Sequence, residues 1–286
     1  MPKRPFTLLR PSERTSAVVF ASPHSACDYP EWFVRRSLLD AHTIRSSEDA
    51  FVDKLFESAP QYGAPFLVAG APRAFLDLNR DSNELDPALI RGVSKAPHNP
   101  RVASGLGVIP RVVSNGRPIY EGKMPLSEAE ARIEKYWRPY HTQLQALLDE
   151  SRETFGRAIL IDCHSMPHEA VNSVARSGLS RPEIVLGDRF GASAESEIVD
   201  QIEAIFAGAG LRVARNAPFA GAYVTRHYGR PARKQHAIQI EIDRALYLDE
   251  KEILPNSNFD SFKALIDTVV SELVGLGLPR QSLAAE

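Results

Sequence analysis

No stretch of about 18 consecutive apolar residues occurs in the chain, so nothing in it reads as a membrane-spanning helix. Cysteine is scarce: Cys27 and Cys163 are the only two, too few for a disulfide scaffold. An excess of either charge is also missing. Thirty-four Lys and Arg stand against 36 Asp and Glu, and a net charge of −2 gives no electrostatic reason to expect nucleic acid or an acidic membrane as partner. The basic start, MPKRPFTLLRPSERTSAVVF, is broken by prolines and polar residues and lacks the apolar run of a secretory signal. A reduced, cytoplasmic protein is expected. Repeats, low-complexity tracts and linkers are absent too, which favours one domain over 1–286, with its core in residues 17–277, rather than two small ones. Oligomeric state leaves no mark in the sequence.

What is present is an alternation of apolar runs and amphipathic stretches. SAVVFA (16–21), APFLVAGA (64–71), AILID (158–162) and HAIQIEI (236–242) read as strands, and LRVARN (211–216) as an edge strand. Helices are predicted over 31–41, 48–59, 126–156, 195–210 and 256–277. Ser127 and Glu130 form a capping box for the longest of them, and Pro139 should kink or divide it. This order predicts an α/β fold, a mainly parallel sheet covered by helices on both faces. The Pro/Asn-rich stretch 94–120 is a long loop of the kind that carries function.

Three strands run into reactive groups. SAVVFA leads to His24, AILID leads through Asp162 and Cys163 to His164, and HAIQIEI carries Glu241 near its end. In a parallel sheet such ends lie along one edge, where ligands bind. Two histidines beside carboxylates suit zinc, so His24 and His164 are candidate ligands; Asp28, Asp49 and Asp53 all stand as the third. Asp162 is placed to orient the His164 imidazole. Glu241, in an otherwise apolar strand, suits a general base; the competing reading makes Gln239, Glu241 and Asp243 a solvated face. A Cys163–His dyad would be a nucleophile instead. Arg80 in DLNRDSNE and Arg226 in GAYVTRHYGRP are candidate anchors for an anionic small molecule, since arginine grips carboxylates in pairs of hydrogen bonds. Residues 94–120 and 215–230 should line the pocket.

Taken together, PHS (23–25), EDAFVDKLF (48–56), DLNRD (77–81), DCHSM (162–166), GAYVTRHYG (221–229) and QIEIDRALYLDE (239–250) resemble the N-formylglutamate amidohydrolase family. The resemblance covers residues 17–250. It implies a zinc-carboxypeptidase-like sheet with one zinc ion at the strand ends, and removal of the formyl group from N-formyl-L-glutamate in histidine breakdown. His24 and His164 would then hold zinc with Asp49, preferred over Asp28, as third ligand. Glu241 would be the catalytic carboxylate. Asn79 with Arg80 would hold one substrate carboxylate and Arg226 the other. Where carboxypeptidases place a ligand glutamate, three residues after the first histidine, this chain has Cys27; and Ala26 stands where members commonly show glycine. A deacylase or peptidase of the same fold with another acyl substrate, and a non-catalytic binder of acidic ligands, are the competing functions.

Overall fold

The computed structural model describes residues 1–94, 99–173 and 181–279. Seven strands make one sheet: β1 (Phe6–Leu9), β2 (Val18–Ser22), β3 (Phe66–Ala69), β4 (Ala158–Met166), β5 (Ile184–Gly187), β6 (Val213–Arg215) and β7 (Gln235–Asp243). Their spatial order is β1-β3-β2-β4-β7-β5-β6. The central strands β3, β2, β4 and β7 are parallel, β1 runs against β3, and β5 runs against β7 but parallel to β6. The mainly parallel, mixed α/β sheet is thus the one expected. Among the described residues no helix is long and apolar enough to cross a membrane.

The helices are α1 (Glu31–Arg36), α2 (Val52–Leu55), α3 (Pro100–Ala103), α4 (Leu126–Arg132), α5 (Arg138–Phe155), α6 (Ser196–Gly208), α7 (Tyr223–Tyr228) and α8 (Phe259–Gly275). Strand residues point alternately to the two faces. Val18, Phe20, Ile159, Ile161, Cys163, Ile238, Ile240 and Ile242 form one core with α2, α6 and α8. Val19, Ala21, Ala158, Leu160 and Ala237 form the other with α4, α5 and α7. On this second face the apolar run stops short. Asp162 and His164 follow Leu160 in β4, and Gln239 and Glu241 follow Ala237 in β7, all of them buried. The polar side of HAIQIEI is therefore an interior pocket wall and not a solvated face.

Several boundaries differ from expectation. DCHSM is strand, not loop, because β4 and β7 stay in register from Ala158↔Gln235 to Met166↔Asp243, which sets His164 opposite Glu241. Residues 48–59 do not make one helix. Phe51 adopts φ +63, which interrupts the α conformation, and only α2 forms after it. Asp49 accordingly does not open a helix; its backbone N–H donates to His24 O at 3.0 Å. Helix α4 begins at Leu126 without a Ser127 cap. Between α4 and α5 lies a π-helical turn, Ile133–Trp137, just ahead of Pro139. Proline leaves a carbonyl one turn back without its donor, and a π-turn absorbs that mismatch while the helix runs on.

Candidate metal centre

The sheet brings the two histidines together from strands that pair directly. His24 follows β2, His164 stands in β4, and their rings meet edge-on with centroids 4.9 Å apart. Asp49 closes the group. Its Oδ2 lies 2.9 Å from His164 Nδ1 and 3.3 Å from His24 Nδ1. The outer side of each ring also meets an acid: Asp77 Oδ1 is 2.8 Å from His24 Nε2, and Asp162 Oδ2 is 3.1 Å from His164 Nε2. Asp77 Oδ1 additionally accepts from the Asn79 N–H at 2.8 Å, which fixes its own orientation. Arg244 donates to Asp49 Oδ1 at 3.1 Å and to Ser165 Oγ at 3.1 Å, leaving Oδ2 to the histidines.

These contacts set the charges. Burial works against a charged Asp49, but the hydrogen bond to His164 and the proximity of both imidazoles outweigh it and hold the carboxyl well below its ordinary range. Asp77 is held down in the same way: burial opposes the charge, and His24, Arg80 and Arg73 prevail. Burial also disfavours a charged His164, yet Asp162, Asp49 and Glu241 raise its pKa well above normal. Glu241 behaves differently. Burial pushes its carboxyl up to about 7, His164 and the arginines opposing and Asp49 assisting.

The residues fit a divalent cation. A carboxylate only accepts hydrogen bonds, so Asp77 fixes the ring proton of His24 on Nε2 and turns the Nδ1 lone pair inward. That Nδ1 is buried and makes no hydrogen bond among the described residues. One donor atom from each of His24, Asp49 and His164 lies within 4.8 Å of the others. Two imidazoles and a carboxylate are the donors of an open zinc site, and acids behind the rings are the usual support for ligating histidines. Of the three candidate acids, Asp49 joins the histidines; Asp28 is exposed beside Lys3 and Asp53 is not in the group. Cys163 faces the opposite core, where burial raises its thiol pKa well above normal, so the dyad reading fails.

A cavity of about 700 Å³ opens over this group, lined by residues from both predicted stretches, 94–120 and 215–230. Glu241 is in its wall; Oε1 accepts from Gln239 Nε2 at 2.7 Å. Asn79 is pinned by Val224 N–H on its Oδ1 at 2.8 Å, with Nδ2 3.2 Å from His164 Nε2. Arg80 is buried in the same wall. Arg226 is not part of the cavity. It is half exposed and lies 3.7 Å from Asp81 and 3.8 Å from Glu84.

Sequence reasoning missed Asp77, Arg73 and Arg244 in the site. Asp77 belonged to the quoted DLNRD motif, and an acid two residues ahead of the Asn-Arg pair was the available signal. It also missed the device that holds this pair. Trp137 Nε1 donates to Arg80 O and His141 Nε2 to Leu78 O, each at 2.9 Å, while Tyr228 hydroxyl lies 2.9 Å from His141 Nδ1. Trp137 is the last residue of the π-turn and His141 follows one turn later, and such turns often mark functional positions.

Residues 16–248 match the profile of a family described as N-formylglutamate amidohydrolase. An N-formylglutamate deformylase of Pseudomonas putida is 31% identical over 242 residues, covering 82% of this chain and 83% of that protein. A second, from Pseudomonas aeruginosa, is 31% identical over 225 residues, 76% of this chain and 77% of that one. The crystal structure of N-formylglutamate amidohydrolase from Ralstonia eutropha JMP134 is 33% identical and superposes with a TM-score of 0.88, covering 96% of this chain and 98% of that chain.

Proposed function

The chain belongs to the N-formylglutamate amidohydrolase family, a hydrolase acting on an amide C–N bond, and we propose that its substrate is N-formyl-L-glutamate, cleaved to formate and L-glutamate. The observation that carries this reading is the buried His24–Asp49–His164 group facing Glu241 in an arginine-lined cavity. His24, His164 and Asp49 would hold one divalent ion, zinc by the nature of the donors. When bound, the ion supplies Lewis acidity, polarising the formyl carbonyl and acidifying water.

The chain's own groups do the rest. Glu241 Oε1 is occupied by Gln239, so Oε2 takes the proton of the attacking water and returns it to the departing amine nitrogen. A carboxyl buried and raised toward neutrality suits both transfers. Arg73, whose charge bears on both Asp49 and Glu241 from the cavity wall, steadies the negative tetrahedral adduct. Asp77 and Asp162 keep the two imidazoles oriented. Asn79 and Arg80 hold the substrate carboxylate beside the amide. A role in histidine breakdown and a cytoplasmic setting accompany the reading through the family and the scarcity of cysteine.

Glu241→Gln tests the assignment. It should lower kcat for N-formyl-L-glutamate by roughly 10²- to 10⁴-fold, the worth of a positioned base, while the protein still takes up one zinc ion. Undiminished turnover, or faster release of acetate or succinate than formate from the matching N-acylglutamates, contradicts it.

A further inference from the structure

Among the described residues four arginines line the cavity, and their partners divide them into two kinds. Arg73 lies 3.3 Å from Asp77 and 3.9 Å from Asp49, and Arg244 lies 3.1 Å from Asp49, so each is neutralised in place. Arg80 and Arg101 make no ion pair among the described residues. Arg80 is only 6% exposed, and its Nε and Nη1 donate to the carbonyls of Leu106 and Asn79, both at 2.9 Å. Carbonyls do not cancel a charge, and its Nη2 has no protein partner among those residues. A buried guanidinium left this way calls for an anion.

Arg101 stands on α3 at the rim of the same cavity. Leu106 ties it to Arg80: the Leu106 N–H donates to Arg101 O at 2.8 Å, and Leu106 O accepts from Arg80. The segment 101–106 therefore links an inner and an outer cation, carrying Arg101 at its start and, at its end, the carbonyl that holds Arg80. Arg80 is the inner member, through Asn79, which touches His164.

From this we infer that Arg101 is the specificity-determining residue for the second carboxylate of the substrate. The inference rests on the proposed N-formyl-L-glutamate reading and deepens it. In that molecule the α-carboxylate is on the carbon bearing the scissile amide nitrogen, and the side-chain carboxylate lies further out along a flexible chain. Arg80 binds the α-carboxylate next to the reacting amide, and Arg101 binds the side-chain carboxylate at the rim. Two cations without an ion-pair partner among the described residues meet two anions. Arg226, held by Asp81 and Glu84 outside the cavity, has no part in this.

The test compares N-formyl-L-glutamate with N-formyl-L-glutamine, its neutral counterpart of equal size, in the zinc-loaded wild type, Arg101→Met, Arg101→Lys and Arg226→Met. Arg101→Met should raise KM for the glutamate compound by about 10- to 100-fold, as expected for loss of a charge-assisted pair, with kcat within about twofold. Its parameters for the glutamine compound should not move, so the preference for the acid collapses. Arg101→Lys should recover part of it, and Arg226→Met should match the wild type. Equal losses on both compounds, an unchanged KM in Arg101→Met, or a raised KM in Arg226→Met alone would overturn the assignment. A wild type inactive on both compounds would instead overturn the parent reading.

Discussion

Replacing His141 by glutamine removes a buried titratable ring without removing a hydrogen-bond donor, and the consequence can be worked out. The ring is 6% exposed and accepts at Nδ1 while donating at Nε2 to Leu78 O. Burial lowers its pKa to about 3, against about 6.5 in an unfolded chain. The folded state thus prefers the neutral ring. The stability tied to that preference is complete above pH 6.5 and is lost as the pH falls toward 3, because the unfolded chain takes up a proton that the folded one refuses. At about 1.36 kcal/mol per pKa unit, roughly 2 kcal/mol has gone by pH 5. Urea unfolding at pH 7.5, 6 and 5 measures it: the advantage of wild type over His141→Gln should shrink by about 2 kcal/mol between pH 7.5 and 5. Parallel stability profiles would refute a neutral, buried His141. Because Leu78 adjoins Asn79, the same ring also secures the turn that carries Asn79.

Two further substitutions probe the ring support and the cavity rim. Asp77→Asn should weaken zinc binding by about 10- to 100-fold in competition with a chelator, since it loses the carboxylate on His24 Nε2; unchanged affinity would show that Asp77 does not support the ligand. In Gly187→Ala the new methyl would lie 2.8 Å from backbone atoms of both Ala220 and Gly221, which line the cavity. The loop must shift, so a loss of about 1–3 kcal/mol of stability together with a raised KM is expected, and a variant normal in both would contradict the packing.

The strands buried on both faces were legible because an apolar run such as AILI has few other uses. The short strands were less so. β1 (FTLL), at one edge, and β5 (IVLG), second from the other, are four residues each, too short for periodicity to separate from loop. The sheet placed His24, His164 and Glu241 at one edge as strand-end residues should be, whereas the third acid could not be chosen by spacing. Asp49 is tied to the site by its N–H on His24 O, just ahead of a left-handed Phe51 that interrupts the expected helix and has no sequence signature. Arg226 was chosen for the composition of its loop, but composition does not say which way a short helix points its side chains. Arg101 lies on the cavity wall, within the stretch 94–120 expected to line the pocket, but nothing in the composition of that loop singles it out.

The central claim is that one ion held by His24, Asp49 and His164 is required for deformylation. The direct measurement strips the purified protein with a chelator, then titrates zinc while recording bound metal and formate released from N-formyl-L-glutamate. Uptake of one ion per chain, with activity rising in proportion and both lost in His164→Ala, is the predicted result. Full formate release from metal-free protein, or from His164→Ala, would contradict it.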